Sequence, residues 1–366
     1  MECRCVPILR NSGPGLFNEC ATPESQTFVS VDGGDTFTVG IVAGSRELIG
    51  WGRAFYGELS AVENGPVKLE LREPCRAVSC GSNHVLALTD SGRVEAWGWN
   101  KFGQIAMPAS EQIVSDPTVV EFPSEPQGSS PVQVVSVAAG GMHSLATDAN
   151  GRVWAWGSNE YGQLGISSEV EQLHTPALVL LPSDVRIHHI AAGWAHSAMV
   201  STTGEVFTFG WGLYNQLGHG STQNERQPTA VDALQGLDNK IEQVECGNWH
   251  TAALTVSGDL YTWGWGKDGQ LGLETSVATQ VLPRVVTVTG SALSDDAQDV
   301  LSLACGHRFT LALCRDGTVQ YWGPSCVDGA HKSVLQPGWL RQSGRVRKLA
   351  AGSSHAILLE SKELTN

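Results

Sequence analysis

A short apolar–small–glycine–His pattern recurs along this chain, and its period limits what the chain can fold into. Five copies are direct: Val78-Ser-Cys-Gly-Ser-Asn-His84, Val137-Ala-Ala-Gly-Gly-Met-His143, Ile190-Ala-Ala-Gly-Trp-Ala-His196, Val244-Glu-Cys-Gly-Asn-Trp-His250 and Leu349-Ala-Ala-Gly-Ser-Ser-His355. Two more keep the frame and end in Phe, at Gly34-Asp-Thr-Phe37 and Cys305-Gly-His-Arg-Phe309. The anchors at 37, 84, 143, 196, 250, 309 and 355 are 46 to 59 residues apart. Self-similarity at this spacing marks a repeat architecture and changes how each His, Trp and Cys is weighed.

Each anchor opens the same grammar. An apolar run such as Val85-Leu-Ala-Leu88 leads to a turn dipeptide: Ser91-Gly92, Asn150-Gly151, Thr203-Gly204, Ser257-Gly258 or Asp316-Gly317. A second run ends in an aromatic–glycine pair, as at Trp97-Gly98, Trp156-Gly157, Phe209-Gly210, Trp263-Gly264 and Trp322-Gly323. Two apolar runs joined by such a dipeptide form a β-hairpin. Gly162-Gln-Leu-Gly165, Gly269-Gln-Leu-Gly272 and their variants follow. Each unit has room for four short strands and shows no sustained helical period. The expected fold is all-β, a single propeller domain over residues 1–366 with seven blades.

The small residues before the anchor glycines (Gly33, Cys80, Ala139, Ala192, Cys246, Cys305 and Ala351) suit innermost strands crowded round an axis. The tryptophans of the Trp-Gly pairs suit burial between blades. The last repeat supplies Ala356-Ile-Leu-Leu359 without a Trp-Gly pair after it. Residues 2–17 are therefore expected to complete the blade begun by residues 345–360, leaving the ring without an exposed sheet edge. Within that segment, Ile8 to Phe17 aligns with Trp156 to Gly165 without gaps.

With Trp97-Gly-Trp-Asn-Lys-Phe-Gly-Gln104 and Trp263-Gly-Trp-Gly-Lys-Asp-Gly-Gln-Leu-Gly272 as its strongest motifs, the chain resembles the regulator of chromosome condensation repeat family, a set of seven-bladed propellers. The resemblance covers about residues 27–360. It implies a protein partner, such as a small GTPase acted on by an exchange factor or a chromatin-associated protein. The run from Trp97 to Pro108 also resembles a segment of a small chromatin-associated member. A plant member senses UV-B with tryptophans in Gly-Trp-Arg-His-Thr repeats. Here the pattern is Gly193-Trp-Ala-His-Ser197, without the arginine beside Trp194, which argues against photoreception.

A net charge of −14 argues against direct nucleic-acid binding, which needs a basic face for phosphates. Neither end carries a basic tail, residues 1–10 do not read as a secretory signal, and no run approaches a membrane span. Three of nine cysteines fill the small-residue slot, so they read as packing residues of a reducing compartment, cytoplasm or nucleus.

His84, His143, His196, His250 and His355 stand once per repeat, which points to structural hydrogen bonding, as does the repeated placing of Trp97, Trp156, Trp263 and Trp322. His188-His189 and Cys3-Arg-Cys5 lack metal-ligand spacing. Neither a catalytic residue nor a metal or other cofactor is indicated, and any activity would be nucleotide exchange rather than bond-making chemistry. Candidate binding residues sit on variable segments. Residues 107–132 read as a solvated connector bearing Glu111, Asp116, Glu121 and Glu125, and residues 286–300 carry Asp295 and Asp296. A basic run holds Arg341, Arg345, Arg347 and Lys348. Trp194 and Trp249 lie in adjacent repeats and form a possible partner-facing pair. The expected function is that of a non-enzymatic adaptor or regulator that binds another protein.

Overall fold

The computed structural model describes residues 2–7, 26–59, 65–123, 131–166, 169–273, 277–288, 300–324, 338–339 and 345–361. Blade three shows the unit. Val134–Ala139, His143–Asp148, Val153–Ser158 and Gln172–Leu178 pair in sequence order, each antiparallel to the next. The second strand is buried along its whole length, because neighbouring blades cover both its faces. Alternation of apolar and polar residues is therefore absent there, as expected of a fully covered strand.

Glycine makes two tight points possible. The hairpin glycine Gly151 holds φ of 73°, and Gly157 of the Trp-Gly pair holds 103°. A Cβ on Gly157 would lie 2.7 Å from the His143 Cα, so backbone approach and dihedral both require Gly there. The outer strands use another device. Ile113–Val119, Gln172–Leu178, Glu225–Ala230 and Thr279–Val286 each carry one proline (Pro117, Pro176, Pro228 and Pro283) near a register shift. Proline cannot donate to a ladder, so these edges resist pairing with another chain.

Six sheets have four strands, lying within residues 28–69, 75–119, 134–178, 187–230, 241–286 and 300–339. The expectation of seven blades is corrected here to six. The remaining sheet has three strands, Arg345–Ala351, His355–Ser361 and Glu2–Pro7. In it Glu2 to Pro7 run antiparallel to Glu360 to His355. The two ends of the chain thus share one sheet; the remainder of the expected closing segment, residues 8–17, lies outside the described residues.

Blades are joined by what the repeat grammar encodes. The indoles of Trp97, Trp156 and Trp263 are fully buried. Each donates its Nε1–H across a junction, to the carbonyls of Glu58, Gln104 and Gln216 at 2.8 to 2.9 Å. Trp322 is buried among Leu254, Leu260, Leu271 and Leu273 of the preceding blade. Replacing such a ring by Ala costs about 3–5 kcal/mol. The segment predicted as a connector contains a strand, since Ile113–Val119 forms the outer strand of blade two.

Candidate protein-interaction face

The anchor histidines form a second set of junctions. His84, His143, His196 and His250 place Nε2 at 2.9 to 3.0 Å from Ser144, Ser197, Thr251 and Thr310 of the next blade. Those hydroxyls donate onward to the carbonyls of Gln104, Gln163, Gln216 and Gln270. A hydroxyl that donates its one hydrogen must accept from the ring, so Nε2 carries the proton. Nδ1 of these four rings is buried without a partner among the described residues. A charged ring would lack an acceptor there, and burial holds the four imidazoles down to about 3. His355 meets Thr38 at 2.9 Å, carrying the same contact from the three-stranded sheet to blade one.

Where the anchor is Phe, the opposing residue is aliphatic. Phe37 packs with Val85 in one core cluster and Phe309 with Ala356 in another. Five histidines face hydroxyls and two phenylalanines face aliphatic side chains. These anchors connect blades; none of them opens onto solvent.

A central channel runs inside the anchors. Its neck is lined by Cys80, Ala139, Ala192, Cys246, Cys305 and Ala351. Below it lies a cavity of about 290 Å³ that includes Asp32, Ser79, Ser136, His189 and Glu245. Burial pushes the Asp32 carboxyl up to about 7, against the stabilising N–H of Cys80 at 2.7 Å. Burial opposes charge on His189 too, but Glu245 at 3.6 Å prevails and holds it above its ordinary value. Among the described residues, no group of three or more His, Cys, Asp or Glu could hold a metal ion. Cys3, Cys75, Cys80, Cys246, Cys305 and Cys314 are free thiols. No helix is long and apolar enough to cross a membrane among the described residues.

Among the described residues, the charged candidates do not converge. Glu111, Asp116 and Glu121 are exposed on the blade-two rim. Glu125, Asp295, Asp296 and Arg341 lie outside the described residues. Arg345 donates to the Arg315 carbonyl, and Lys348 reaches the Val29 carbonyl of blade one at 2.8 Å, tethering two sheets. Arg347 is exposed.

Trp194 and Trp249 do come together, through residues that sequence reasoning missed. Trp194 meets Trp211 (5.5 Å between centroids, tilted), Trp211 meets Tyr214 edge-on (5.4 Å), and Tyr214 meets Trp249 (5.8 Å, tilted). Trp249 then meets Trp265 at 4.8 Å and His307 at 5.0 Å. Tyr161 extends the ridge from blade three at 5.6 Å, and Tyr56, Trp99 and Phe102 form a smaller group on blades one and two. All of these rings are half-buried, and Trp194 and His307 line the channel mouth together with the anchor glycines. Trp99, Trp211 and Trp265 each follow the glycine of an aromatic–glycine pair, and that position was the available signal.

The sequence matches the RCC1-like domain over residues 10–294. The chain belongs to this family. It is 32% identical over 306 residues to the ultraviolet-B receptor UVR8 of Arabidopsis thaliana, covering 82% of this chain and 66% of the receptor. It is 29% identical over 330 residues to the human E3 ubiquitin-protein ligase HERC2, covering 86% of this chain but 6% of the ligase. The chain therefore spans less than two thirds of either relative. Among solved structures, human WBSCR16 superposes with a TM-score of 0.78 at 25% identity, covering 92% of this chain and 88% of that one. Prp20p of Saccharomyces cerevisiae, described with its binding properties to Gsp1p and histones, gives 0.79 at 17% identity over 99% and 92% of the two chains, a likeness of fold.

Proposed function

We propose that this chain is a non-enzymatic interaction module, a rigid ring whose aromatic face holds a partner protein in the cytoplasm or nucleus. In this reading the three-stranded sheet serves as the seventh blade, and the whole chain works as one adaptor or regulatory domain. One observation carries the proposal. The slot after the aromatic–glycine pair holds Trp99, Trp211 and Trp265 in three repeats but Arg53, Ser158 and Pro324 in three others. The same fold is built without Trp at that slot, so packing does not demand these indoles. Half-exposed Trp and Tyr that the fold does not require are the residue types that anchor interfaces.

The test is a lysate pull-down comparing the wild type with W211S/W265S, a change that installs the residue already present at Ser158. Partners captured by the wild type and lost by a variant of unchanged melting temperature support the reading. Equal capture by both overturns it. The second reading, nucleotide exchange on a small GTPase, is supported by family membership and by the likeness to Prp20p. It expects enrichment of one GTPase only when EDTA has stripped its nucleotide. The same pull-down under UV-B illumination tests photoreception, whose mark would be light-dependent capture.

A further inference from the structure

We infer that the aromatic ridge from Trp194 to Trp265 docks an uncharged, proline-rich segment in the polyproline II conformation. The inference deepens the proposed function and rests on the same face.

Four observations select this occupant. The first concerns donors. Trp97, Trp156 and Trp263 commit their indole N–H to carbonyls within the ring, whereas the indole N–H groups of Trp194, Trp211, Trp249 and Trp265 have no acceptor among the described residues and are not buried. A polyproline helix makes no internal hydrogen bonds, so its carbonyls are available to such donors. An α-helix has already used most of its own.

The second is spacing. Steps of 5.4 and 5.8 Å from Trp211 through Tyr214 to Trp249 set an upper limit on the span of every second ring that admits the roughly 9 Å repeat of polyproline II. Tilted rings at that spacing resemble the aromatic-lined grooves used to bind such segments.

The third is charge. The chain carries −14 overall, yet cations flank the ridge. Arg308 pairs with Asp268 at 3.2 Å, and Arg226 donates to the Glu160 carbonyl at 3.3 Å. Lys267 is exposed beside Trp265. A basic segment would meet these cations, and an acidic one would be repelled by the whole chain. An uncharged segment meets neither penalty.

The fourth excludes strand addition, since the long outer strands carry the prolines described above. Leu213 stands 52% exposed between Trp211 and Tyr214, an apolar surface in reach of proline rings.

The experiment titrates the full chain with a labelled Pro/Leu peptide of about 12 residues, roughly four polyproline turns. A Gly/Ser peptide and a Lys-rich peptide of equal length serve as controls. The expected result is saturable binding to the proline-rich peptide alone, weakened at least about tenfold in W211S/W265S, since stacked aromatic anchors dominate such contacts. Leu213→Asp, at an exposed tip that the fold does not need, should weaken it similarly with an unchanged melting temperature. No saturation below about 1 mM, a weak limit near 4 kcal/mol, overturns the inference. So does equal affinity for either control, or undiminished binding by Leu213→Asp. If a cellular partner still depends on Trp211 and Trp265 while the peptide fails, this inference falls and the proposed function stands.

Discussion

Replacing His196 by Phe and Thr251 by Val, singly and together, would convert one blade junction into the kind seen at Phe37 and Val85. His196→Phe alone leaves the Thr251 hydroxyl without the ring N–H that it accepts, in a site with no exposure. Thr251→Val alone leaves that N–H without an acceptor, while the Gln216 carbonyl keeps the Trp263 indole. The Thr251 hydroxyl still donates to the Gln216 carbonyl, so the orphan arises in Thr251→Val, whose buried unpaired N–H costs about 1–3 kcal/mol. In the double variant that N–H is gone, so the two changes should couple by about 1–3 kcal/mol in the direction of recovery. Scanning calorimetry reads this as a shift of roughly 1 °C per kcal/mol for a chain of this length. Additive single-variant losses would refute the claim that the hydrogen bond across the junction is what matches His to hydroxyl.

Acid should dismantle the ring. The four imidazoles held near 3 and His355 held near 4 stay neutral in the folded chain but take up protons at about 6.5 when it unfolds. Their contribution is complete above that value and is lost as pH falls toward 4, at up to about 1.4 kcal/mol per pH unit for each ring. Urea midpoints measured from pH 7 to 4.5 should fall steeply, and His196→Phe/Thr251→Val should flatten the slope by one proton. Removing residues 1–7 deletes the strand paired with Glu360 to His355, so the truncated chain should melt well below the full one and aggregate through the uncovered edge. Identical melting curves would refute that role.

The hairpins, the small-residue neck and the buried tryptophans were all legible in the sequence, because each is a local signature repeated in register. The His–hydroxyl matching was legible too: Ser144, Ser197, Thr251 and Thr310 directly follow an anchor, whereas Val85 and Ala356 follow the anchors that face Phe. Its meaning emerges only when one repeat is compared with the next. The aromatic ridge was half legible. Trp194 and Trp249 were visible as neighbours in repeat order, but Trp211 and Trp265 were hidden inside a motif read as structural. The charged candidates are scattered for a different reason. Glu111, Asp116 and Lys348 were chosen by charge and loop length, and neither property says which face of a ring a residue occupies. The count of seven blades exceeded the six four-stranded sheets because a repeat anchor guarantees a hairpin, not four strands.

The shared sheet at the chain ends also sets an order of events during synthesis. Cys3 pairs with Leu359, so the strand Glu2–Pro7 has no partner until His355–Ser361 has been made. Contacts so distant in sequence are slow to form, and the waiting strand is open to wrong partners. A circular permutant beginning at Phe28, with Glu2–Pro7 joined after Ser361, would hold the same contacts while making that pairing local. It should reach the native state faster than the natural order does, at comparable final stability.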